Sequence, residues 1–442
     1  MMSLQTPENI RRLQRKLYLK AKAEPDIRFY LLYDKLYRED ILRHAYDLVR
    51  ANKGAPGVDG VTFAMIEAGG LEEWLAGIRK DLIEKAYRPA PVRRVMIPKP
   101  GGNGERPLGI PTIRDRTVQT AAKLVLEPIF EADLDPSAYG YRPKRSGLDA
   151  IKEVHALLCR GYTDVVDADL SKYFDTIPHR DLMQSVARRI VDRNMLNLIK
   201  MWLKTPVEER DGEGKRRMSG GRHNTCGTPQ GGVVSPMLAN VYMNRFLKHW
   251  RRSGRNDAYQ AQVVSYADDF VILSRGHAGE ALAWTKQVMT RLGLAINEDK
   301  TSIRNAREER FDFLGYSFGS HRDRKDGHWY LGASPSKKSV QRLKEKIGGL
   351  LVPGNQAPWP EVTNRVNSVL RGWTAYFSHG TRRVAYRAID NYVYHSVRRF
   401  LTRRHKVRSL GTRCFPAEAV FGKLGVLQLR RVHLGTPPNT LR

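Results

Sequence analysis

The chain has 442 residues, 41% of them hydrophobic and 28% charged, which is the composition of a folded protein with two or three domains. Its 76 Lys and Arg against 46 Asp and Glu leave a net charge of +30, and this excess predicts a polyanion as partner. No stretch approaches the ~20 apolar residues of a membrane span, so nucleic acid is favoured over a membrane.

The first third of the chain is predicted to be helical, with one hairpin. Residues 1–50 form a basic helical extension, and Pro and Gly mark a loop at 54–60. A second helix is predicted over 71–88. P-V-R-R-V-M-I-P and R-P-L-G-I-P then predict two strands joined by the turn K-P-G-G-N-G-E. Apolar spacing predicts a further helix from about Arg114 to Ala132.

The middle third alternates short strands with helices. D-V-V-D-A-D-L predicts a strand, helices follow between 178 and 204, and glycines mark a loop at 219–232. After a helix over 235–250, V-V-S-Y-A-D-D-F-V-I-L-S predicts a hairpin with two apolar arms and an Asp-containing turn. A helix over 279–292 and a strand in F-D-F-L-G-Y-S-F complete this region.

The last quarter differs in charge. Between Leu331 and Arg442 there are 21 Lys and Arg against 4 Asp and Glu, a net charge of +17. Two helical stretches are separated by G-G-L-L-V-P-G-N-Q-A-P-W-P. A basic helical region of this kind suits the phosphates of a folded RNA.

Three carboxylates are the candidate catalytic residues. Asp268 and Asp269 occupy the hairpin turn, where an isolated Asp pair is more often a structural turn element. Asp169 lies near the end of a separate strand, where its side chain can leave the sheet. Three such carboxylates suit a two-metal site for phosphoryl transfer. The competing acids, each more often structural or solvated, are Asp164, Asp167 and Asp175.

Six motifs in order extend this pattern. They are R-P-L-G-I-P-T-I-R-D-R-T-V-Q-T-A at 106–121, L-E-P-I-F-E at 126–131, Y-G-Y-R-P at 139–143, D-A-D-L-S-K-Y-F-D at 167–175, T-P-Q-G-G-V-V-S-P-M-L-A-N at 228–240 and Y-A-D-D-F at 266–270. Together they resemble the reverse transcriptase/maturases encoded by group II introns. L-R-G-W-T-A-Y-F at 370–377 is similar to the maturase (X) signature of that family.

The resemblance implies an α+β fold of the right-hand polymerase type, with fingers, a palm carrying an antiparallel sheet, and an all-helical thumb/maturase (X) domain. We expect an N-terminal extension at 1–50, fingers at 51–160, a palm at 161–330 and a thumb/maturase domain at 331–442. The resemblance also implies that Asp169, Asp268 and Asp269 bind two Mg²⁺ ions, which Mn²⁺ can replace.

Further site residues follow from the matching positions. Phe174 is expected under the nucleotide ribose, although a buried core aromatic is the alternative. Lys300 is expected near the leaving pyrophosphate, against the alternative of a surface lysine. The expected nucleotide-binding residues are Lys99, Arg106, Arg114, Phe174, Gln230 and Gly231. The expected RNA-binding residues are Arg382, Arg383, Arg398, Arg399, Arg403, Arg404 and Lys406, whereas the aromatics at 373–377 are mostly core.

The implied partners are group II intron RNA, an RNA template with a DNA primer, dNTPs and target DNA. No association with a membrane is expected, and the sequence leaves open whether the protein forms a homodimer. The three cysteines are far apart, which favours a reduced, intracellular protein. The resemblance implies a cytoplasmic, bacterial-type intron ribonucleoprotein. No cysteine or histidine cluster marks the endonuclease that many relatives carry. The alternatives are a maturase active in splicing alone, a relative recruited to phage defence or spacer acquisition, and an RNA polymerase.

Overall fold

A computed structural model describes residues 4–98, 104–210, 215–221, 223–229, 231–323 and 326–431. The described helices are α1 (Glu8–Ala23), α2 (Tyr33–Leu36), α3 (Glu39–Ala51), α4 (Phe63–Ala68), α5 (Leu71–Ile83), α6 (Ile113–Glu131), α7 (Gly147–Cys159), α8 (Tyr173–Thr176), α9 (His179–Ala187), α10 (Arg193–Leu203), α11 (Ser235–Arg252), α12 (Arg255–Ala258), α13 (Ala278–Arg291), α14 (Lys337–Leu350), α15 (Trp359–Tyr376) and α16 (Arg383–Arg404).

The strands of the described ranges form three sheets. They are β1 (Val92–Pro98), β2 (Glu105–Ile110), β3 (Asp164–Asp169), β4 (Val207–Arg210), β5 (Arg216–Ser219), β6 (Ala261–Tyr266), β7 (Asp269–Ser274), β8 (Ser302–Asn305), β9 (Phe311–Phe313), β10 (Tyr316–Arg322) and β11 (Trp329–Pro335). The sheet orders are β2-β1-β4-β5, β6-β7-β3-β8 and β11-β10-β9.

Helix α6 organises the N-terminal part. Thr112 caps it, because the Thr112 hydroxyl accepts a hydrogen bond from the backbone N–H of Asp115 at 3.0 Å. Apolar residues such as Val118 and Ile129 are fully buried, and α1 and α3 pack on the helix. The predicted hairpin is formed by β1 and β2, which pair antiparallel, and β4 extends this sheet by pairing parallel to β1.

The central sheet β6-β7-β3-β8 is antiparallel throughout. Strand alternation separates its two faces: Val166 and Phe270 join the core shared with the N-terminal helices, whereas Val165 packs toward α7 and the sheet β11-β10-β9. By the same alternation, Asp167 and Asp169 lie on the Val165 side.

The C-terminal part has a separate core formed by α14, α15 and α16. A π-helical turn, Ala419–Lys423, and a 3₁₀ turn, Leu429–Arg431, complete it. The backbone N–H of Leu429 donates to the buried carboxylate of Asp390 at 2.7 Å, which ties the last turn to α16. The mixture of sheets with a helical C-terminal part confirms the predicted fold class. Within the described ranges, no helix is long and apolar enough to cross a membrane.

Candidate active site

Two of the predicted carboxylates face each other on neighbouring strands. Asp169 ends β3, Asp269 begins β7, and their Cα atoms are paired in register. Tyr266, the last residue of β6, also pairs with Asp269, so Ala267 and Asp268 form a two-residue turn. Ala267 has φ +60°, as a tight hairpin turn requires. All three carboxylates therefore lie at the same end of one sheet.

The turn is supported by the Y-G-Y-R-P segment. The backbone N–H of Tyr139 donates to the carbonyl of Ser265 at 2.8 Å. A Cβ on Gly140 would lie 2.4 Å from the backbone nitrogen of Ala267, so only glycine permits this approach. Asn240 donates to the Gly140 carbonyl at 2.7 Å. The sequence indicated this motif but not its role, which is to position the aspartate turn.

Burial and neighbouring negative charge raise the pKa of Asp268 and of Asp269. The pKa of Asp269 is raised to about 6, first because surrounding protein excludes water and then because Asp268, Asp169 and Asp167 add negative charge. Part of Asp269 remains open to solvent. Burial and then the charge of Asp169 also raise the pKa of Asp268. A bound cation would relieve this repulsion.

Lys300 supplies one positive charge at the site. Its Nζ donates to Asp169 Oδ2 at 2.9 Å, and this hydrogen bond raises the pKa of Lys300. The backbone N–H of Asn297 donates to the Asp169 carbonyl at 2.8 Å, so the N-E-D-K-T turn encloses the end of β3. The structure thus places Lys300 in contact with Asp169. From the sequence, Lys300 was expected only to lie near the leaving pyrophosphate.

Asp167 is a fourth carboxylate near the site. Burial raises its pKa to about 6, with contributions from Asp312 and Asp169, and Arg304 opposes this rise. Because side chains two residues apart in a strand point to the same face of the sheet, the position of Asp167 in β3 already indicated that it lies on the same face as Asp169. In the part of the chain that the structure describes, no three His, Cys, Asp or Glu side chains are arranged to hold a metal ion. Asp169 is instead hydrogen-bonded to Lys300.

The glycine-rich loop lies between α8 and the fingers hairpin. The backbone N–H of Thr228 donates to the carbonyl of Phe174 at 2.6 Å, and Phe174 itself is buried. Gly231 has φ +106°, and a Cβ there would lie 2.0 Å from the carbonyl oxygen of Gly109 on β2. The loop therefore joins the palm to the fingers through contacts that require glycine.

Of the described cations predicted in the fingers, Arg106 acts on the catalytic carboxylates and Arg114 pairs elsewhere. Arg106 is exposed on β2, and its charge opposes the rise in the pKa of Asp268. Arg114 is paired with Asp81 and lies 4.8 Å from the ring centroid of Tyr87, so it is engaged in packing α6 against α5. Two predicted residues lie outside the described residues: Lys99 and Gln230.

Comparison with known proteins gives the family. The family model described as reverse transcriptase (RNA-dependent DNA polymerase) matches residues 97–318, and the group II intron, maturase-specific domain matches residues 340–415. Protein YkfC of Escherichia coli (strain K12) is 34% identical over 368 residues, which are 75% of this chain and 93% of that protein. The chain belongs to the group II intron-encoded reverse transcriptase/maturase family.

Two further relatives come from introns. Group II intron-encoded protein LtrA of Lactococcus lactis subsp. cremoris is 36% identical over 388 residues, covering 74% of this chain and 61% of that protein. The putative COX1/OXI3 intron 2 protein of Saccharomyces cerevisiae is 27% identical over 333 residues, covering 62% of this chain and 37% of that protein. This reverse transcriptase/maturase thus spans less than two thirds of either intron protein.

The maturase signature of this reverse transcriptase/maturase holds the thumb against the palm. The Tyr376 hydroxyl donates to the Leu314 carbonyl, and the Tyr316 hydroxyl donates to the Tyr376 carbonyl, both at 2.8 Å. The rings of Tyr316 and Phe377 lie 5.0 Å apart. These aromatics connect α15 to the F-D-F-L-G-Y segment, and Phe377 is a core residue, as predicted.

The predicted RNA-binding cations fall into two groups along α16. Arg399, Arg403 and Arg404 line one cavity of about 660 Å³ together with Tyr392. The others stand apart from that cavity: Arg382 hydrogen-bonds the Ser378 carbonyl, Arg398 stacks on Tyr394 with its guanidinium 5.2 Å from the ring centroid, and Arg383 and Lys406 are exposed.

Proposed function

We propose that this reverse transcriptase/maturase extends a DNA primer on an RNA template, and that it binds its group II intron RNA and promotes splicing and mobility. The register of Asp169 with Asp269, with Asp268 in the adjoining turn, carries the polymerase part. The basic thumb supports the RNA-binding part. Target DNA as partner, a homodimer and a cytoplasmic ribonucleoprotein remain part of the proposal.

The carboxylate oxygens of Asp169, Asp268 and Asp269 suit hard divalent cations, and we assign them two Mg²⁺ ions, with Mn²⁺ as a substitute. Such ions, when bound, activate the primer 3′-hydroxyl and stabilise charge on the leaving pyrophosphate. The fit rests on repulsion: the pKa of Asp268 and that of Asp269 are both raised, so a cation stabilises their charged forms. In the structure, the ammonium group of Lys300 offsets part of the negative charge of these carboxylates through its ion pair with Asp169.

The chain's other residues bind and orient the nucleotide. We assign Arg106 to the triphosphate and Phe174 to the face of the sugar that a 2′-hydroxyl would occupy. Lys300, already hydrogen-bonded at the site, can donate a proton to the leaving pyrophosphate. Gly231 allows the backbone to approach the fingers closely. Lys99, Gln230 and the assignment of Arg114 to the nucleotide stay predictions.

The test of this proposal is extension of a primer by the full chain with dNTPs or NTPs, on RNA and on DNA templates, in Mg²⁺. We expect efficient extension with dNTPs on the RNA template and little with NTPs. Extension that prefers NTPs would support the RNA polymerase alternative. Tight binding of intron RNA without extension on any template would support a maturase active in splicing alone.

Shortening Phe174 should weaken discrimination against ribonucleotides. We expect Phe174→Val to reduce the preference for dNTPs over NTPs by about 10- to 100-fold, because the bulk that excludes a 2′-hydroxyl is removed. The measurement is the ratio of kcat/KM values for dTTP and UTP. Phe246→Val, a change of another buried palm phenylalanine, controls for loss of packing and should leave that ratio unchanged.

The raised pKa of Asp269 predicts a pH-dependent stability in EDTA. Because its pKa is about 6 in the folded chain and below 4 unfolded, the folded state holds the extra proton between those values. Stability therefore falls as the pH rises from about 4 to about 6. Asp269→Asn should melt about 2 °C above wild type at pH 8 and together with it near pH 4.

Thermal melting across this pH range measures the difference. Asp299→Asn, which removes an exposed carboxylate, serves as control and should follow wild type. A constant difference between Asp269→Asn and wild type at every pH would contradict the assignment of the raised pKa to Asp269.

A further inference from the structure

A basic cavity lies on the palm, separate from the catalytic carboxylates. Its volume is about 360 Å³, and it is enclosed by the end of α6, by α9, by the second half of α11 and by the end of α13. Asp169, Asp268 and Asp269 are all described by the structure, and none of them lines it. The cavity is therefore not an extension of the polymerase site.

The lining is strongly positive. Among the described lining residues, Asp133 is the one carboxylate. The Lys and Arg side chains that line the cavity are Arg188, Arg189, Arg245, Lys248, Arg252 and Arg291. Arg188, Arg252 and Arg291 are exposed, so the cavity is open to solvent on one side, whereas Arg189 is buried and Lys248 is half-buried. Like charges this close together repel one another, most strongly where water is excluded.

The single carboxylate is already used. Asp133 lies 3.0 Å from Arg189 Nε, and Arg189 also donates to several backbone carbonyls, so it is a structural residue. Arg245 Nη1 lies 3.5 Å from Asp181 Oδ1 and forms an ion pair with it, but this buried atom makes no hydrogen bond in the described part of the chain. A buried guanidinium N–H that makes an ion pair but no hydrogen bond can still donate to a bound anion.

The remaining cations crowd one another. Burial lowers the pKa of Lys248, and the charges of Arg252, Arg189 and Arg188 lower it further, although Asp133 opposes them. Across the described residues, no carboxylate lies within ion-pair distance of Arg188, Arg252 or Arg291. An anion in the cavity would stabilise all of these groups together.

We propose that this cavity binds a phosphate group, carried either by the backbone of an RNA strand or by a free polyphosphate. Guanidinium groups match the geometry of phosphate oxygens, and Lys248 adds a point charge between them. The site uses none of the residues assigned to polymerisation. Its success or failure is therefore independent of the proposed polymerase activity.

The first arm of the test uses inorganic pyrophosphate without divalent metal, at ionic strength held constant with NaCl. We expect pyrophosphate to raise the Tm of the full chain in a saturable way. Arg188→Gln/Arg252→Gln should lose that shift. Lys53→Gln/Lys80→Gln, which removes two exposed cations elsewhere, should keep it.

Lys248→Met gives a second, independent readout. Without phosphate we expect it to melt at or above the Tm of wild type, because it removes a half-buried cation from a crowded group while keeping the packing of the stem. With pyrophosphate its Tm should not rise. A variant that is simply destabilised and still shifts with pyrophosphate would count against the site.

The second arm uses a labelled RNA hairpin without a primer. If RNA supplies the phosphate, Arg188→Gln/Arg252→Gln should bind it about tenfold more weakly, with a salt slope smaller by about 2, and pyrophosphate should compete. A pyrophosphate shift without loss of RNA affinity would assign the site to a free polyphosphate. If the double variant keeps both the shift and the RNA affinity, the proposal is overturned. Primer extension on poly(rA)/oligo(dT) should stay within about twofold of wild type throughout.

Discussion

Asp268→Asn should lower Mg²⁺-dependent primer extension on poly(rA)/oligo(dT) by at least about 1,000-fold, which corresponds to about 4 kcal/mol of transition-state stabilisation. Asn keeps the size of the side chain and the two-residue turn between Tyr266 and Asp269, but it removes the negative charge that a divalent cation requires. RNA binding should stay within about twofold, because the basic thumb lies in a different part of the chain.

The variant also separates loss of chemistry from loss of fold. The pKa of Asp268 is raised by burial and by Asp169, so removing its charge relieves repulsion and should not lower the Tm. Asp299→Asn, an exposed carboxylate next to Lys300, should extend primers as wild type does. Full extension by Asp268→Asn would exclude Asp268 as a metal ligand.

The local features of the site were predictable because they lie within single elements. The hairpin around Asp268 and Asp269 follows from two apolar arms and a turn, and the strand ending in Asp169 follows from β-branched alternation. Apolar spacing also predicted α6, whereas the helix predicted over 71–88 ends at Ile83. These patterns depend on neighbours in sequence, so one chain is sufficient to find them.

Other features depend on partners that are distant in sequence. The pairing of β1 with β4 joins residues about a hundred positions apart, and no local pattern indicates it. The ion pair between Lys300 and Asp169 and the influence of Asp312 on Asp167 are of the same kind. Such contacts are decided by packing of the whole chain, which composition and spacing do not encode.

Arg114 illustrates the limit of a motif. Its position in R-P-L-G-I-P-T-I-R-D-R favoured a role with the nucleotide, yet its side chain pairs with Asp81 and donates to the Arg88 carbonyl at 3.3 Å. A motif fixes the residue type but not the direction of a long side chain. Arg106, exposed on β2 and acting on Asp268, is the better supported cation.

The thumb cations carry the second large prediction. Arg399 and Arg403 are one helical turn apart on α16, both exposed, and they line the cavity of about 660 Å³ beside Tyr392. Arg404 donates to the Ala357 carbonyl at 2.8 Å, so it also stabilises the fold and is left unchanged. Arg399→Gln/Arg403→Gln should lower affinity for folded intron RNA by about 10- to 100-fold, through loss of two charged phosphate contacts.

Fluorescence anisotropy at several salt concentrations measures this effect, and the slope of log affinity against log salt should fall by about 2. Arg342→Gln/Lys346→Gln removes two exposed cations from α14 and should change affinity much less. Equal losses in the two double variants would show that only the overall charge of the thumb matters.

Primer extension on an unstructured homopolymer distinguishes whether Arg399 and Arg403 bind the folded RNA or the template–primer duplex. If Arg399→Gln/Arg403→Gln weakens binding of folded RNA but extends poly(rA)/oligo(dT) normally, the thumb selects the RNA while Asp169, Asp268 and Asp269 perform the synthesis. If the double variant loses primer extension as well as RNA affinity, α16 binds the template–primer duplex instead. The hydrogen bond from the Tyr376 hydroxyl to the Leu314 carbonyl is consistent with that second result, because it couples the thumb directly to the palm.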